Sequence, residues 1–475
     1  MQTIMSVGID VGTSTTQVVF SRLSMDDSGG FFSVPRVSIV DKEVVYKSEV
    51  YLTPLVSDVW IDTDALKEIV AGEYARAGFS PSDMSSGAVI ITGESARKEN
   101  ADAVLESLSG FAGDFVVSAA GPDMESLIAG KGSGAFQYSI DHHARVANLD
   151  IGGGTTNVVI FDDGAVTARG CLDIGGRLIR VDEGSGLVRI SPAAAKVAAA
   201  EGIQLRPGQK ADLVSLTRVT DRMARVLEGY LGLGPEDVLT PALKTPGSSD
   251  FERPGHPDAV FFSGGVADLI YHPAAEDLKY GDIGVLLGRS IRGSRLCSDF
   301  HMGEPGETIR ATVVGAGSYT TTISGSTISY SEDIFPLKNI PVVKLDEALQ
   351  ASLFRGEKDE VAARIRWYQA QNDVSLLILA MPGKRDPGYG EMKLAAAAIY
   401  EIMDQLLPAG APVLLVIECD IAKAMGQMIR QLPGMDRQVV AIDSIQVSDG
   451  EYVDMGRPLM NGMVIPVVVK TLIFG

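Results

Sequence analysis

One pattern occurs twice in this chain and limits its architecture more than any other feature. The stretch VGIDVGTSTTQVVF, Val7 to Phe20, returns as NLDIGGGTTNVVIF, Asn148 to Phe161. In register, Asp10 falls on Asp150, Gly12 on Gly152, Thr15 on Thr155, Thr16 on Thr156, and Val18-Val19 on Val158-Val159. Each copy reads as an apolar strand ending in Asp, a glycine-rich turn with hydroxyls, and a second strand. The residues after each turn, TTQVVF and TTNVVIF, are β-branched and aromatic and disfavour a helix there. Dinucleotide-binding and Walker loops run from a strand through glycines into a helix, so neither matches this order.

The turns carry chemistry suited to phosphate. Gly12, Thr13, Ser14 and Thr15 form the first, and Gly152, Gly153, Gly154, Thr155 and Thr156 the second. Glycines let backbone approach an anion closely, successive N–H groups make a nest for phosphate oxygens, and hydroxyls add donors. Asp10 and Asp150, each ending a strand, have the chemistry to hold magnesium directly or through water. A single such hairpin is most simply a tight turn. Two in register predict a clamp, with each half of a duplicated fold gripping a phosphate chain from one side. A third element, DAVFFSGGVADLI (Asp258 to Ile270), reads as a buried strand, a Gly264-Gly265 turn and a helix opening at Val266, placed to hold the base and ribose of a nucleotide.

Length, charge and cysteine usage narrow the class. At 475 residues the chain exceeds one ordinary core and predicts two or more domains. Its longest apolar runs, such as PVLLVIEC and VIPVVVKTLIF, are too short to span a membrane, and no secretory signal pattern opens the chain. Cys171, Cys297 and Cys419 lie far apart with no C-x-x-C spacing, which argues against a zinc or iron–sulfur site and fits a reducing cytoplasm. A net charge of −20 repels nucleic acid and anionic lipid, so neither is expected as a partner. A phosphate ligand needs local help from backbone N–H groups and a metal ion.

DVGTSTT, DIGGGTTN and FFSGGV resemble the phosphate-1, phosphate-2 and adenosine motifs of the actin-like ATPase superfamily. MESLIAGKGSGA (Met124 to Ala135) and VVGAGSYTTT (Val313 to Thr322) are similar to its two connecting helices, their small residues suiting a close crossing. The resemblance implies an α/β protein with a duplicated actin-like ATPase (ribonuclease H-like) fold of two lobes, plus a C-terminal α/β domain. The ordered set GAVIITGESARKENA, FVVSAAGPDMESLIAGKGSGA, LDIGGGTTNVVIFDDGAVTARGCLDIGGRLI and MNGMVIPVVVKTLIF further resembles the reactivating factors of ethanolamine ammonia-lyase, from the first strand to the last. That family implies a chaperone-like factor, dependent on ATP and magnesium, that acts on an adenosylcobalamin enzyme and promotes exchange of damaged cobalamin for intact cofactor. Asp10 and Asp150 would then be catalytic and metal-binding residues, in a cytoplasmic protein with an open question of residence in a bacterial microcompartment.

Three divisions follow in chain order: residues 1–135 as the first lobe with the phosphate-1 hairpin, 136–330 as the second with the phosphate-2 hairpin and adenosine motif, and 331–475 as the α/β domain, a candidate contact for the lyase. Phe32 to Pro54 reads as a strand-rich subdomain of the first lobe. Other readings stay open here: an actin-like assembly or scaffold ATPase, and a sugar-kinase-like phosphotransferase whose base would come from Asp162, Asp163, Asp173 or Asp182. The activators of 2-hydroxyacyl-CoA dehydratases are a further candidate, weakened by the absence of cluster-ligating cysteines. His142-His143 reads as a surface pair, and GGR at Gly175 to Arg177 as an ordinary hairpin turn, with a phosphate neighbour as the second reading.

Overall fold

The computed structural model describes residues 2–13, 15–27, 37–57, 59–92, 95, 98–111, 121–252, 255–319, 322–325, 327–372, 374–434, 436–459 and 461–470. The first sheet contains β1 (Gln2–Val11), β2 (Thr15–Asp27), β3 (Val37–Lys47) and β4 (Met84–Ile91), in the order β3-β2-β1-β4. The hairpin pairs β1 and β2 antiparallel, while β4 runs parallel to β1. Alternation gives this sheet two buried faces. Val7, Ile9, Val11, Val18 and Phe20 pack against Leu66, Val70 and Tyr74 of the helix Thr63–Ala77 and against Val104 and Leu108 of Ala101–Ser109. Val19 lies on the other face against Val313 and Val314. Of the strand-rich stretch expected over 32–54, residues 32–36 lie outside the described residues, and β3 pairs with β2 from Val19 to Asp27 and extends the main sheet.

The second half repeats this plan. Strands β5 (Arg145–Ile151), β6 (Thr156–Asp162), β7 (Ala165–Leu172), β8 (Ala259–Ser263) and β9 (His301–Met302) lie in the order β7-β6-β5-β8-β9, again with an antiparallel hairpin and a parallel fourth strand. This duplicated sheet order is the actin-like fold. Two helices link the halves: α1 (Pro122–Gly132) and α2 (Ala311–Tyr319). Each rests on the sheet of the other half. A Cβ on Gly130 of α1 would stand 2.6 Å from Val159 Cγ1 of β6, and one on Gly8 of β1 would stand 2.3 Å from the Val313 carbonyl of α2. Where the helices cross, a Cβ on Gly132 would lie 1.8 Å from the Ala311 carbonyl and one on Gly315 2.1 Å from that of Ile128. The predicted small-residue crossing is therefore backbone on backbone, which only glycine permits. Divisions at 135 and 330 follow chain order, whereas these two helices pack across it.

The C-terminal sheet contains β10 (Leu337–Lys344), β11 (Ile378–Met381), β12 (Val413–Ile417), β13 (Val439–Asp443), β14 (Tyr452–Met455) and β15 (Pro466–Lys470). Strands β10 to β13 are parallel, as the alternation of apolar runs and helical stretches predicts. Antiparallel β14 and β15 continue the sheet past β10, and Thr322–Ile323 pairs with β15. This sheet also reaches the crossing: Val468 of β15 shares a buried cluster with Ala88, Ile90, Ile128 of α1 and Ala316 of α2.

Candidate nucleotide-binding site

Both hairpins close in the same way. The N–H of Gly12 donates to the Thr15 carbonyl at 2.8 Å, and that of Gly152 to the Thr155 carbonyl at 2.9 Å. Register sets an amide opposite each aspartate, Gln17 facing Asp10 and Asn157 facing Asp150. The fourth strand of each half delivers a hydroxyl: Thr92, just beyond β4, donates to Asp10 Oδ1 at 3.1 Å, and Ser263, the last residue of β8, to Asp150 Oδ1 at 2.7 Å. Thr312 on α2 adds a long 3.5 Å contact to Asp150 Oδ2. Burial pushes Asp10 up to about 7, the Thr92 hydroxyl opposing that rise and the Asp150 charge adding to it. Burial likewise pushes Asp150 up to about 6 against the bonds from Ser263, Thr312 and Asn157.

A cleft of about 430 Å³ opens between the halves, within the size range of small-ligand sites. Asp10, Gly12, Thr13 and Thr15 line one side of it. Asp150, Gly152, Gly153, Gly154, Thr155, Gly264, Gly265 and Val266 line the other. Ser14 lies outside the described residues. Thr156, grouped by the sequence with the ligand-facing turn, is a correction: it is buried, does not line the cleft, and donates its hydroxyl to the Ile174 carbonyl at 2.7 Å. Adjacent strand residues point to opposite faces, so Thr155 and Thr156 cannot both face the ligand. Gly264 has φ of 85° and a Cβ there would stand 2.5 Å from the Ile151 carbonyl, whereas Gly265 has open space before it. That turn thus needs glycine at Gly264 for the backbone and at Gly265 for whatever enters the cleft.

Further residues line the cleft. GGR is not an ordinary turn: Gly176 and Arg177 line the cleft, the Gly176 N–H donating to the Gly152 carbonyl at 3.0 Å and the Arg177 N–H to that of Gly153 at 2.7 Å. The signal was present in the echo of LDIGG, which appears at Leu149 and again at Leu172. Glu125 of the first connecting helix and Asp268 of the adenosine element also line the cleft, as do Tyr280 and Asp282, which carry no motif. The four carboxylates considered for a kinase base do not reach it. Asp162 is bound by Arg145, Asp163 by His143, Asp173 by Thr245, and Asp182 accepts from the Gly186 N–H.

The donor set fits a hard cation beside a polyphosphate. Two buried carboxylates face one cleft, and the side-chain carbonyl oxygens of Gln17 and Asn157 are buried without a hydrogen-bond donor. Among the described residues no three His, Cys, Asp or Glu side chains gather as a metal site, so magnesium at Asp10 and Asp150 would complete its shell with phosphate oxygens and water.

The profile described as "Ethanolamine utilisation protein EutA" matches residues 2–475. The chain belongs to the EutA family. Ethanolamine ammonia-lyase reactivase EutA of Escherichia coli (strain K12) is 35% identical over 486 aligned residues, spanning 99% of this chain and 98% of that protein. The Salmonella typhimurium protein of the same name is 34% identical over 482 residues, spanning 99% and 98%. Among solved structures, EutJ from Carboxydothermus hydrogenoformans is 17% identical over 66% of this chain and 89% of that one, with a TM-score of 0.34, too low to bear on the fold. EutA membership therefore rests on nearly full-length sequence similarity, and the fold on the repeated sheet order. Among the described residues no helix is long and apolar enough to cross a membrane.

Proposed function

We propose that this EutA-family chain is an ATP-dependent reactivating factor for adenosylcobalamin-dependent ethanolamine ammonia-lyase, promoting exchange of damaged bound cobalamin for intact cofactor. The observation that carries the ATPase reading is the pair of equivalent aspartates, Asp10 and Asp150, one from each hairpin, lining a single cleft between two lobes. The partner comes from the two reactivases at 35% and 34% identity.

The turn N–H groups and the hydroxyls of Thr13, Thr15 and Thr155 would bind the phosphates, and Gly264, Gly265 and Val266 would flank the nucleoside. Magnesium, when bound, would offset phosphate charge at Asp10 and Asp150. Burial raises Asp10 to about 7 and Asp150 to about 6, and a cation held between them would favour the ionised form of both. A γ-phosphate touched by both hairpins favours lobe closure, and ADP lacks it. A differential affinity of about 2 to 3 kcal/mol shifts the closed-to-open ratio roughly 30- to 150-fold. The shared cluster of Val468 with Ile128 and Ala316 supports a route by which closure reaches the C-terminal domain, the proposed lyase contact.

The test is reactivation of inactivated lyase with free adenosylcobalamin, magnesium and ATP, with and without this protein. Activity returns over repeated cycles only when protein and ATP are both present. A non-hydrolysable analogue supports association with the lyase but arrests after the first cycle. Equal multiple-turnover recovery with the analogue sinks the hydrolytic cycle.

A further inference from the structure

We infer that Arg177 supplies the positive charge that meets the phosphate chain of the bound nucleotide. This rests on the nucleotide reading of the cleft and adds a specific residue to it. Among the described residues lining the cleft, Arg177 is the single cation beside Asp10, Glu125, Asp150, Asp268 and Asp282. A polyanion entering such a wall meets strong repulsion unless a cation is held there.

The backbone of Arg177 is fixed at the phosphate-2 turn. Its N–H donates to Gly153 at 2.7 Å, the Gly176 N–H to Gly152 at 3.0 Å, and the Ile283 N–H to the Gly176 carbonyl at 3.0 Å. A Cβ on Gly175 would stand 2.5 Å from the Gly153 carbonyl, and one on Gly176 2.9 Å from Gly284 Cα, so this loop is wedged in place by backbone on both sides. The side chain is only lightly tethered. Nε meets Asp282 Oδ2 at 3.3 Å, and among the described residues neither terminal nitrogen has a partner. Asp282 has other supports besides Arg177, the N–H of Gly284 at 2.8 Å and the nearby charge of Arg180. With its side chain 30% exposed at the lining of the cleft, Arg177 is prepared for two-pronged recognition of phosphate.

The test measures ATP and adenosine binding to the full chain with magnesium, by calorimetry or by competition with a fluorescent nucleotide. R177Q is expected to weaken ATP binding on the order of 10-fold or more while leaving adenosine within about twofold, the signature of a lost charged contact. R177K restores part of the loss, and the ATP affinity of R177Q depends less on salt. D282N keeps an oxygen for Gly284 and removes one negative charge, so it binds ATP at least as tightly as the unaltered chain. If R177Q binds ATP normally, or if R177Q and D282N weaken ATP and adenosine alike, Arg177 is only the structural partner of Asp282 and the proposal is wrong. If the unaltered chain binds no ATP at all, the nucleotide reading falls and takes this proposal with it.

Discussion

The first hairpin holds the Gly12 carbonyl with two side-chain hydroxyls, Thr53 at 2.8 Å and Ser95 at 3.0 Å, whereas the second holds the carbonyls of Gly152 and Gly153 with the backbone N–H groups of Gly176 and Arg177. The aspartates differ in the number of their side-chain partners. Among the described residues Asp10 receives one hydroxyl, from Thr92, and Asp150 receives Ser263, Thr312 and Asn157. Duplication has kept what strand register fixes, namely the aspartate, the opposed amide and the closing turn. The fourth-strand hydroxyl is kept as well, whereas the supports of the two turns come from unrelated segments. The second turn is therefore held by backbone, the first turn by replaceable side chains, and both aspartates by side chains.

Removing the shared feature should give the largest effect. Asp10→Ala or Asp150→Ala is expected to lower magnesium-dependent ATP hydrolysis by about 10²-fold or more, with the fold retained in circular dichroism. Comparable loss in both variants supports two equivalent half-sites. Unchanged turnover in both would remove the clamp altogether.

Titration sharpens the asymmetry. A carboxyl raised in the folded state holds a proton that the unfolded chain has lost, so its contribution to stability is full at low pH and declines as pH rises. For Asp10 the decline runs from the ordinary 3.8 to about 7, and for Asp150 from 3.8 to about 6, each at no more than about 1.4 kcal/mol per pH unit. Denaturant unfolding without nucleotide or magnesium measures this as the difference between each Asn variant and the unaltered chain. The Asp10→Asn difference should keep changing to about pH 7, and the Asp150→Asn difference should level near 6. Two curves that level together would mean the extra partners of Asp150 have no influence.

The adenosine turn offers a contrast within one half-site. Gly265→Val should raise the Kd for ATP on the order of 10-fold with little change in nucleotide-free melting temperature, because its side chain meets nothing but the cleft. Gly264→Val should instead destabilise the fold, since its φ is 85° and backbone stands in the way. If Gly265→Val lowers stability as much as affinity, that turn is structural throughout.

These contrasts also mark how far the residues alone could be read. The duplicated hairpins, the Gly264-Gly265 turn and the parallel C-terminal strands were legible because local alternation and glycine placement determine them. Pleat parity was the first limit: two adjacent threonines look alike in sequence, and only the pairing shows that Thr155 faces the cleft while Thr156 bonds Ile174. Distance was the second. Arg177 meets Asp282 across 105 residues, and the Thr322 hydroxyl meets the Val467 carbonyl across 145, so neither leaves a local periodicity to find. For Thr156→Ala the expected result is accordingly a stability loss of about 1 kcal/mol with near-normal hydrolysis, measured by unfolding and steady-state rates.

The smallest expected effect concerns the side-chain supports of the first turn. Thr53→Val with Ser95→Ala removes both hydroxyls from the Gly12 carbonyl and also the Thr16–Thr53 contact at 3.1 Å. The space left by the two hydroxyls would adjoin the cleft that Gly12 lines, and water entering there would replace part of what is lost. The turn keeps its own closing bond from Gly12 to Thr15. What changes is its rigidity before ligand arrives, and ordering a loosened turn on binding costs affinity more than it costs the chemical step. We expect the Kd for ATP to rise about threefold, with hydrolysis at saturating ATP within about twofold of the unaltered chain. The second hairpin has no equivalent change, because its supporting donors are backbone N–H groups that side-chain substitution leaves in place. A loss of hydrolysis as large as that of the aspartate variants would show that Thr53 or Ser95 touches the nucleotide itself, and the division into a side-chain-supported and a backbone-supported turn would fail.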